Sequence, residues 1–262
     1  KLLLFEYQEK LDELNNLSGK KGFIYNNYCL GSGSERQYFS DNNGQKIDAI
    51  RLKIKEWHDK KYISDNEYFF FLASLLESAD KVANTASVYG AFLKQLKKTA
   101  QKTMILEPAL FQINDHDHEV YSEDANNLIH HIQGDILYLD PPYNERQYGA
   151  NYHLLNTIAL YDNFIPKGKT GLRNYTKSAY CKKAQVRERF DDLIRNAKFK
   201  YIFLSYNNEG LMSAKDIKDI MTKYGKYSLA TTNYQRFKAD NAREYTADKT
   251  TEYLHILKKN DA

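Results

Sequence analysis

The stretch that most constrains this chain is Gly134-Asp135-Ile136-Leu137-Tyr138-Leu139-Asp140, which continues as Pro141-Pro142-Tyr143-Asn144-Glu145-Arg146-Gln147-Tyr148. Ile136 to Leu139 is a short apolar run without helical spacing, which predicts a strand buried in a parallel sheet. Two prolines then end it, since neither has an N–H for a ladder and each holds its neighbour extended. The strand therefore delivers a carboxylate, two rigid carbonyls and an aromatic ring to the carboxyl edge of a sheet, where open α/β folds bind ligands. A Pro-Pro turn closed by an Asp cap is the plain alternative. Against it, the chain has only four prolines, and two of them fall together between Asp140 and Tyr143.

These groups suit methylation of an exocyclic amine such as N6 of adenine. Its lone pair is delocalised into the ring and attacks a methyl sulfonium poorly. The Asp140 carboxylate and the Pro141 carbonyl, accepting its two N–H bonds, would draw the nitrogen toward sp³ and free that pair. Tyr143 would stack on the base and hold it for in-line transfer. No covalent enzyme intermediate is needed, so no nucleophilic Cys or Ser is expected.

Asp140-Pro141-Pro142-Tyr143 resembles the D-P-P-Y motif of N6-adenine DNA methyltransferases. Asn144-Glu145-Arg146-Gln147-Tyr148, followed by Tyr152-His153-Leu154-Leu155, is similar to the N-x-R-Q-Y…Y-H-x-L form found in restriction–modification enzymes. Ser205-Tyr206-Asn207-Asn208-Glu209-Gly210, Asn84 to Gly90 and the ending Glu252 to Lys259 look like the same subgroup, so the resemblance covers roughly residues 84–259. It implies a class I S-adenosylmethionine-dependent methyltransferase, an α/β Rossmann-like sheet, acting on a base flipped out of double-stranded DNA. It implies cofactor contacts at Asp124 and Asp140, and substrate contacts at Asn144, Arg146, Gln147, Tyr148, Tyr152 and Asn207. Asp124 reads equally well as the N-cap of a helix starting at Ala125. A cognate restriction endonuclease is a further expected partner.

Along the chain, helices are expected at Phe5 to Leu17, Ile47 to Asp59 and Tyr89 to Thr99. A capping box, Ser64-Asp65-Asn66-Glu67, should open another over Tyr68 to Val82. Gly22 to Asn43 has no clear period and reads as a loop; the glycines of Gly31-Ser32-Gly33-Ser34 are wrongly spaced for a nucleotide fingerprint. Residues 1–102 thus form a helical block whose aromatics read as core, and whose surface is one candidate for DNA contact. From Thr103 the pattern turns to short strands and helices, giving a catalytic α/β region over 103–262. Strands are expected at Met104 to Leu106, Glu119 to Tyr121, Tyr201 to Ser205, Tyr227 to Tyr234 and Glu252 to Leu257. Helices are expected at Ala125 to Ile132, Tyr152 to Tyr161, Ala184 to Asn196 and Ser213 to Lys223, the last closed at Gly225. The loop Phe164 to Lys183 and the charged link Arg236 to Arg243 are the other candidate DNA contacts.

The net charge of +4 permits nucleic-acid binding without arguing for it, and the lysine and arginine clusters read first as solvated helix faces. Cys29 and Cys181 are too few for a disulfide framework, which fits the cytoplasm. No apolar run reaches the length of a membrane span, and no signal peptide is visible. His116, His118, His130 and His131 match no metal-ligand spacing, so no metal is expected. The glycine-rich F-x-G-x-G loop that holds the cofactor in the resembling subgroup is not found here; it is expected ahead of Lys1. Its absence keeps open a second class of function, a non-catalytic DNA-binding or specificity partner that retains the motif.

Overall fold

The computed structural model describes residues 2–111, 116–235 and 249–260. Two compact units make up the chain. The first takes residues 1–115 and 149–175, the second residues 116–148 and 176–262.

The first unit is helical. Its elements are α1 (Leu2–Asn15), α2 (Phe23–Tyr28), α3 (Asp41–Asp59) and α4 (Asp65–Lys81), joined after the excursion of the chain by α7 (His153–Leu160). Ser40 caps α3 by accepting from Asn43 N. The Ser64–Glu67 capping box opens α4 with both reciprocal bonds present, as its spacing predicts. The core is aromatic: Tyr28, Tyr38, Tyr89 and Phe71 are fully buried. The rings of Tyr28 and Tyr38 lie 5.9 Å apart, edge to face, and those of Tyr38 and Tyr89 6.2 Å apart, stacked.

Three sequence expectations fail here, each because a distant side chain takes over backbone bonding. Gly22 to Asn43 is not all loop, since α2 forms where buried Asp48 accepts from the N–H groups of Gly22, Ile24 and Tyr25. Burial raises the Asp48 carboxyl, opposed by the Tyr161 hydroxyl and those backbone donors. Tyr89 to Thr99 is not a helix. It wraps around buried Asn84, whose amide donates to the Gln37 and Leu93 carbonyls and accepts from Lys97 N. Met104 to Leu106 is not a strand, because Met104 N donates to Asn43 Oδ1 and Leu106 N to Asn15 Oδ1 in place of a ladder. The helix expected over Tyr152 to Tyr161 forms as α7, capped by those two residues and preceded by a separate short turn of helix, α6 (Tyr148–Asn151). Arg51, only 3% exposed, donates from Nε to the Ile158 carbonyl and from Nη2 to that of Ala159, closing the end of α7.

The second unit is α/β. Its sheet has four strands in the order β1-β2-β4-β3 among the described residues: β1 (Gln133–Leu139), β2 (Lys198–Asn207), β3 (Gly225–Gln235) and β4 (Lys249–Lys259). β1 and β2 run parallel, Leu137 opposite Ile202, while β2–β4 and β3–β4 are antiparallel. The helices are α5 (Ala125–Leu128), α8 (Val186–Asn196) and α9 (Ala214–Met221). Phe190, Leu193 and Ile194 of α8 and Ile217 and Met221 of α9 form one core with Ile202, Leu204 and Leu257 of the sheet. α9 also opens on a capping box, Ser213 with Asp216.

Four expectations change in this unit. The strand before Asp140 is not buried: β1 is an edge strand of the described sheet, with Ile136 62% and Tyr138 61% exposed. Glu119 to Tyr121 is exposed and joins no strand, and the helix from Ala125 ends at Leu128 rather than Ile132. Gly225 begins β3 instead of closing a helix, where a Cβ would strike the Lys258 carbonyl. The charged link from Arg236 to Arg243 lies outside the described residues. Cys29 and Cys181 are free and buried, and no helix among the described residues is long and apolar enough to cross a membrane.

Candidate active site

Asp140, Pro141 and Pro142 follow the carboxyl end of β1 outside regular structure and lead to Tyr143. The exit is held from the end of β2. The Tyr143 carbonyl accepts from Leu211 N at 2.9 Å and from the Tyr206 hydroxyl at 3.5 Å. The buried Tyr206 ring meets that of Tyr143 edge-on, 6.5 Å between centroids and 85° between planes. A side chain at Gly210 would collide with the Tyr206 ring, so the turn after β2 needs glycine there. Tyr143 keeps 38% of its surface open. Asp140 is exposed, and its carboxylate has no hydrogen-bond partner among the described residues.

A cleft of about 640 Å³ opens beside this turn, entirely within the second unit. Tyr138 to Pro142 line it together with Tyr121 to Ala125, Thr176 to Ser178, and the apolar surface of Tyr180, Phe190 and Leu193. Asp124 accepts from Asn126 N at 2.9 Å and so caps α5, yet it also lines the cleft with Asp140. The Tyr180 hydroxyl donates to Asn126 Oδ1 at 3.1 Å. Burial, then the nearby Asp124 and Asp192 carboxylates, raises that hydroxyl above the usual tyrosine range, so it stays protonated as a donor.

The structure thus brings Asp124, Asp140, Pro141 and Pro142 together on one cleft. The other expected site residues do not line it. Asn144 folds back to accept from Arg146 N at 2.9 Å, and Arg146 is exposed while its carbonyl accepts from Cys181 Sγ. The Gln147 amide is engaged with the backbone of Ser178. Asn207 is buried, its Oδ1 accepting from Glu209 N within the turn after β2. Tyr148 is 51% exposed at the end of the second unit, and Tyr152, 40% exposed, belongs to the first.

Several cleft residues escaped the reading of the sequence. Thr176 to Ser178 sit in a loop assigned whole to DNA contact. Phe190 and Leu193 could have been found, because Val186, Phe190 and Leu193 follow the spacing of one helix face. Tyr121 and Glu123 carry no such signal. Among the described residues no group of His, Cys, Asp or Glu is placed to hold a metal ion.

Comparison with known proteins bears directly on what this turn can do. The family model for D12 class N6 adenine-specific DNA methyltransferases matches residues 3–223. The chain belongs to this family. This D12-class methyltransferase is 63% identical over 253 residues to the type II methyltransferase M.NlaIII of Neisseria lactamica, covering 96% of this chain and 76% of that protein. It is 41% identical over 254 residues to M.CviAII of Paramecium bursaria Chlorella virus 1, covering 95% and 75%. With M.FokI of Planomicrobium okeanokoites it shares 40% identity over 245 residues, 92% of this chain but 38% of that one. No solved structure matches. The α/β sheet accords with the class I methyltransferase fold, and membership of an enzyme family decides against the non-catalytic partner.

Proposed function

We propose that this chain methylates adenine N6 in double-stranded DNA as the modification enzyme of a type II restriction–modification system, with S-adenosylmethionine as donor and the cytoplasm as its place of action. The observation that carries the reading is the juxtaposition of Asp140, Pro141 and Pro142 with Asp124 on a single cleft at the carboxyl edge of a parallel strand pair. The printed names of the relatives, type II methyltransferases and modification methylases, support the biological setting and a cognate endonuclease as partner.

The cleft fits the donor by its chemistry. Glu123 and Asp124 offer carboxylates to ribose hydroxyls, the aromatic and apolar faces of Tyr180, Phe190 and Leu193 suit a purine, and the acidic lining suits a cation. When bound, the cofactor supplies an electrophilic methyl group on a sulfonium. The protein does the rest by position. Asp140 and the Pro141 carbonyl accept the two N–H bonds of the flipped adenine's amine, making its lone pair available, and Tyr143 stacks on the base. Arg146 and Tyr148, with Asn144 and Asn207 shaping the turns, are proposed to contact the flipped nucleotide and its strand; Tyr152, in the first unit, is proposed separately as a DNA contact.

The test is incubation of duplex DNA with labelled S-adenosylmethionine and mass analysis of the digested nucleosides. N6-methyladenine is the expected product. Methylcytosine alone, or no label, would overturn the assignment.

A further inference from the structure

Gln147 follows the Asp140 turn by seven positions and was expected to touch substrate. Its side chain is already engaged. Oε1 accepts from Ser178 N at 2.8 Å, and Nε2 donates to the Ser178 carbonyl at 3.2 Å. One amide thus satisfies both the donor and the acceptor of one residue's main chain, as a neighbouring strand would. The pairing also settles the orientation of the amide, since the reverse would set donor against donor and acceptor against acceptor.

The partner is part of the cleft wall. Ser178 lines the cleft, and its Oγ accepts from Tyr180 N at 3.2 Å, opening the short turn Ala179–Cys181. Tyr180 donates to Asn126 Oδ1, and Asn126 N donates in turn to Asp124. Cys181 Sγ adds a second link to the same loop, at 3.3 Å from the Arg146 carbonyl. A continuous hydrogen-bonded path therefore runs from the residues just after Tyr143, through the wall at Ser178 and Tyr180, to Asp124.

We propose that Gln147 is a positioning residue, which sets the spacing of the Ser178–Tyr180 wall, and through it Asp124, relative to Asp140. It acts on the reaction through the wall and not by reading a base. The part of this inference that concerns turnover rests on the adenine-methylating function proposed above.

Two variants test it in the complete enzyme. Gln147→Leu removes both bonds. Gln147→Glu keeps the acceptor but sets a carboxylate oxygen against the Ser178 carbonyl, and protonation at low pH restores a donor there. Backbone hydrogen exchange at Ser178 reads the contact without any activity. It should quicken about tenfold or more in Gln147→Leu, as expected when a part-buried backbone N–H loses its acceptor. Turnover should fall about tenfold, with the KM for DNA little changed and the KM for the cofactor raised. The Gln147→Glu defect, relative to wild type, should shrink as pH falls toward about 5, while the Gln147→Leu defect should not. Unchanged Ser178 exchange, or a rise confined to the KM for DNA, would overturn the proposal and return Gln147 to a substrate contact. Should Gln147→Leu not fold, Gln147→Glu carries both readouts. Should wild type fail to methylate adenine, the functional reading falls, while the exchange measurement still decides the role of Gln147.

Discussion

Tyr143 is held by its backbone and by an edge-on contact with Tyr206, and keeps 38% of its surface open three residues after Asp140. If its task is to stack on a flipped base, an aromatic face is required and a hydroxyl is not. Tyr143→Phe and Tyr143→Trp should keep substantial turnover, while Tyr143→Ala should lose roughly 1–3 kcal/mol of stacking. Equal, severe loss in Phe and Ala, measured side by side, would instead place the hydroxyl in the chemistry. Asp124 calls for a paired substitution because it both caps α5 and lines the cleft. Asp124→Asn should preserve most of the cap but weaken cofactor binding, and unchanged affinity in calorimetry would leave the cap alone. Two histidines carry a prediction about pH. His153 and His255 are fully buried, and burial lowers each from 6.5 to about 4. In the unfolded chain both take a proton at their ordinary value, so between 6.5 and about 4 the unfolded state binds more protons and stability falls with pH. Above 6.5 that loss is absent. His255→Gln should therefore lose less stability than wild type in denaturant melts taken from about pH 7 to about pH 4.5, by on the order of 2–3 kcal/mol. Parallel decline of the two proteins would contradict the buried neutral state.

At the level of elements, local chemistry predicted best where the stabilising partner is near in sequence. Ser64–Glu67 and Ser213–Asp216 both form capping boxes, and removing the first with Ser64→Ala should cost α4 about 1 kcal/mol in thermal melts. α3, α8, β2 and the β3–β4 pair were likewise legible from period and composition. What could not be read depends on partners far along the chain. α2 needs the carboxylate of Asp48, the 89–99 segment needs the amide of Asn84, and residues 104–106 bond to Asn43 and Asn15. Polar side chains that substitute for backbone partners leave no periodic trace. In the site, Asp140 to Tyr143 and Asp124 were legible because the motif is contiguous and the acidic residue opens a helix. The Thr176 to Tyr180 wall was not, since nothing local links it to Gln147.

For the whole molecule, the division of labour follows from where the chain places its chemistry. The second unit holds the sheet, the Asp140 turn and all residues of the cleft, while the first holds an aromatic helical core and receives the continuation of the motif, Tyr152 and His153. The net charge of +4 permits nucleic-acid binding without arguing for it. Everything proposed for catalysis converges on one carboxylate, exposed at the end of β1. The most direct measurement is methyl transfer to adenine by Asp140→Ala beside its cofactor affinity, both in the complete enzyme. Turnover should fall on the order of a hundredfold or more, with cofactor binding in calorimetry much less affected. Near-normal N6-methyladenine formation by Asp140→Ala would contradict the placement of the reaction at this turn.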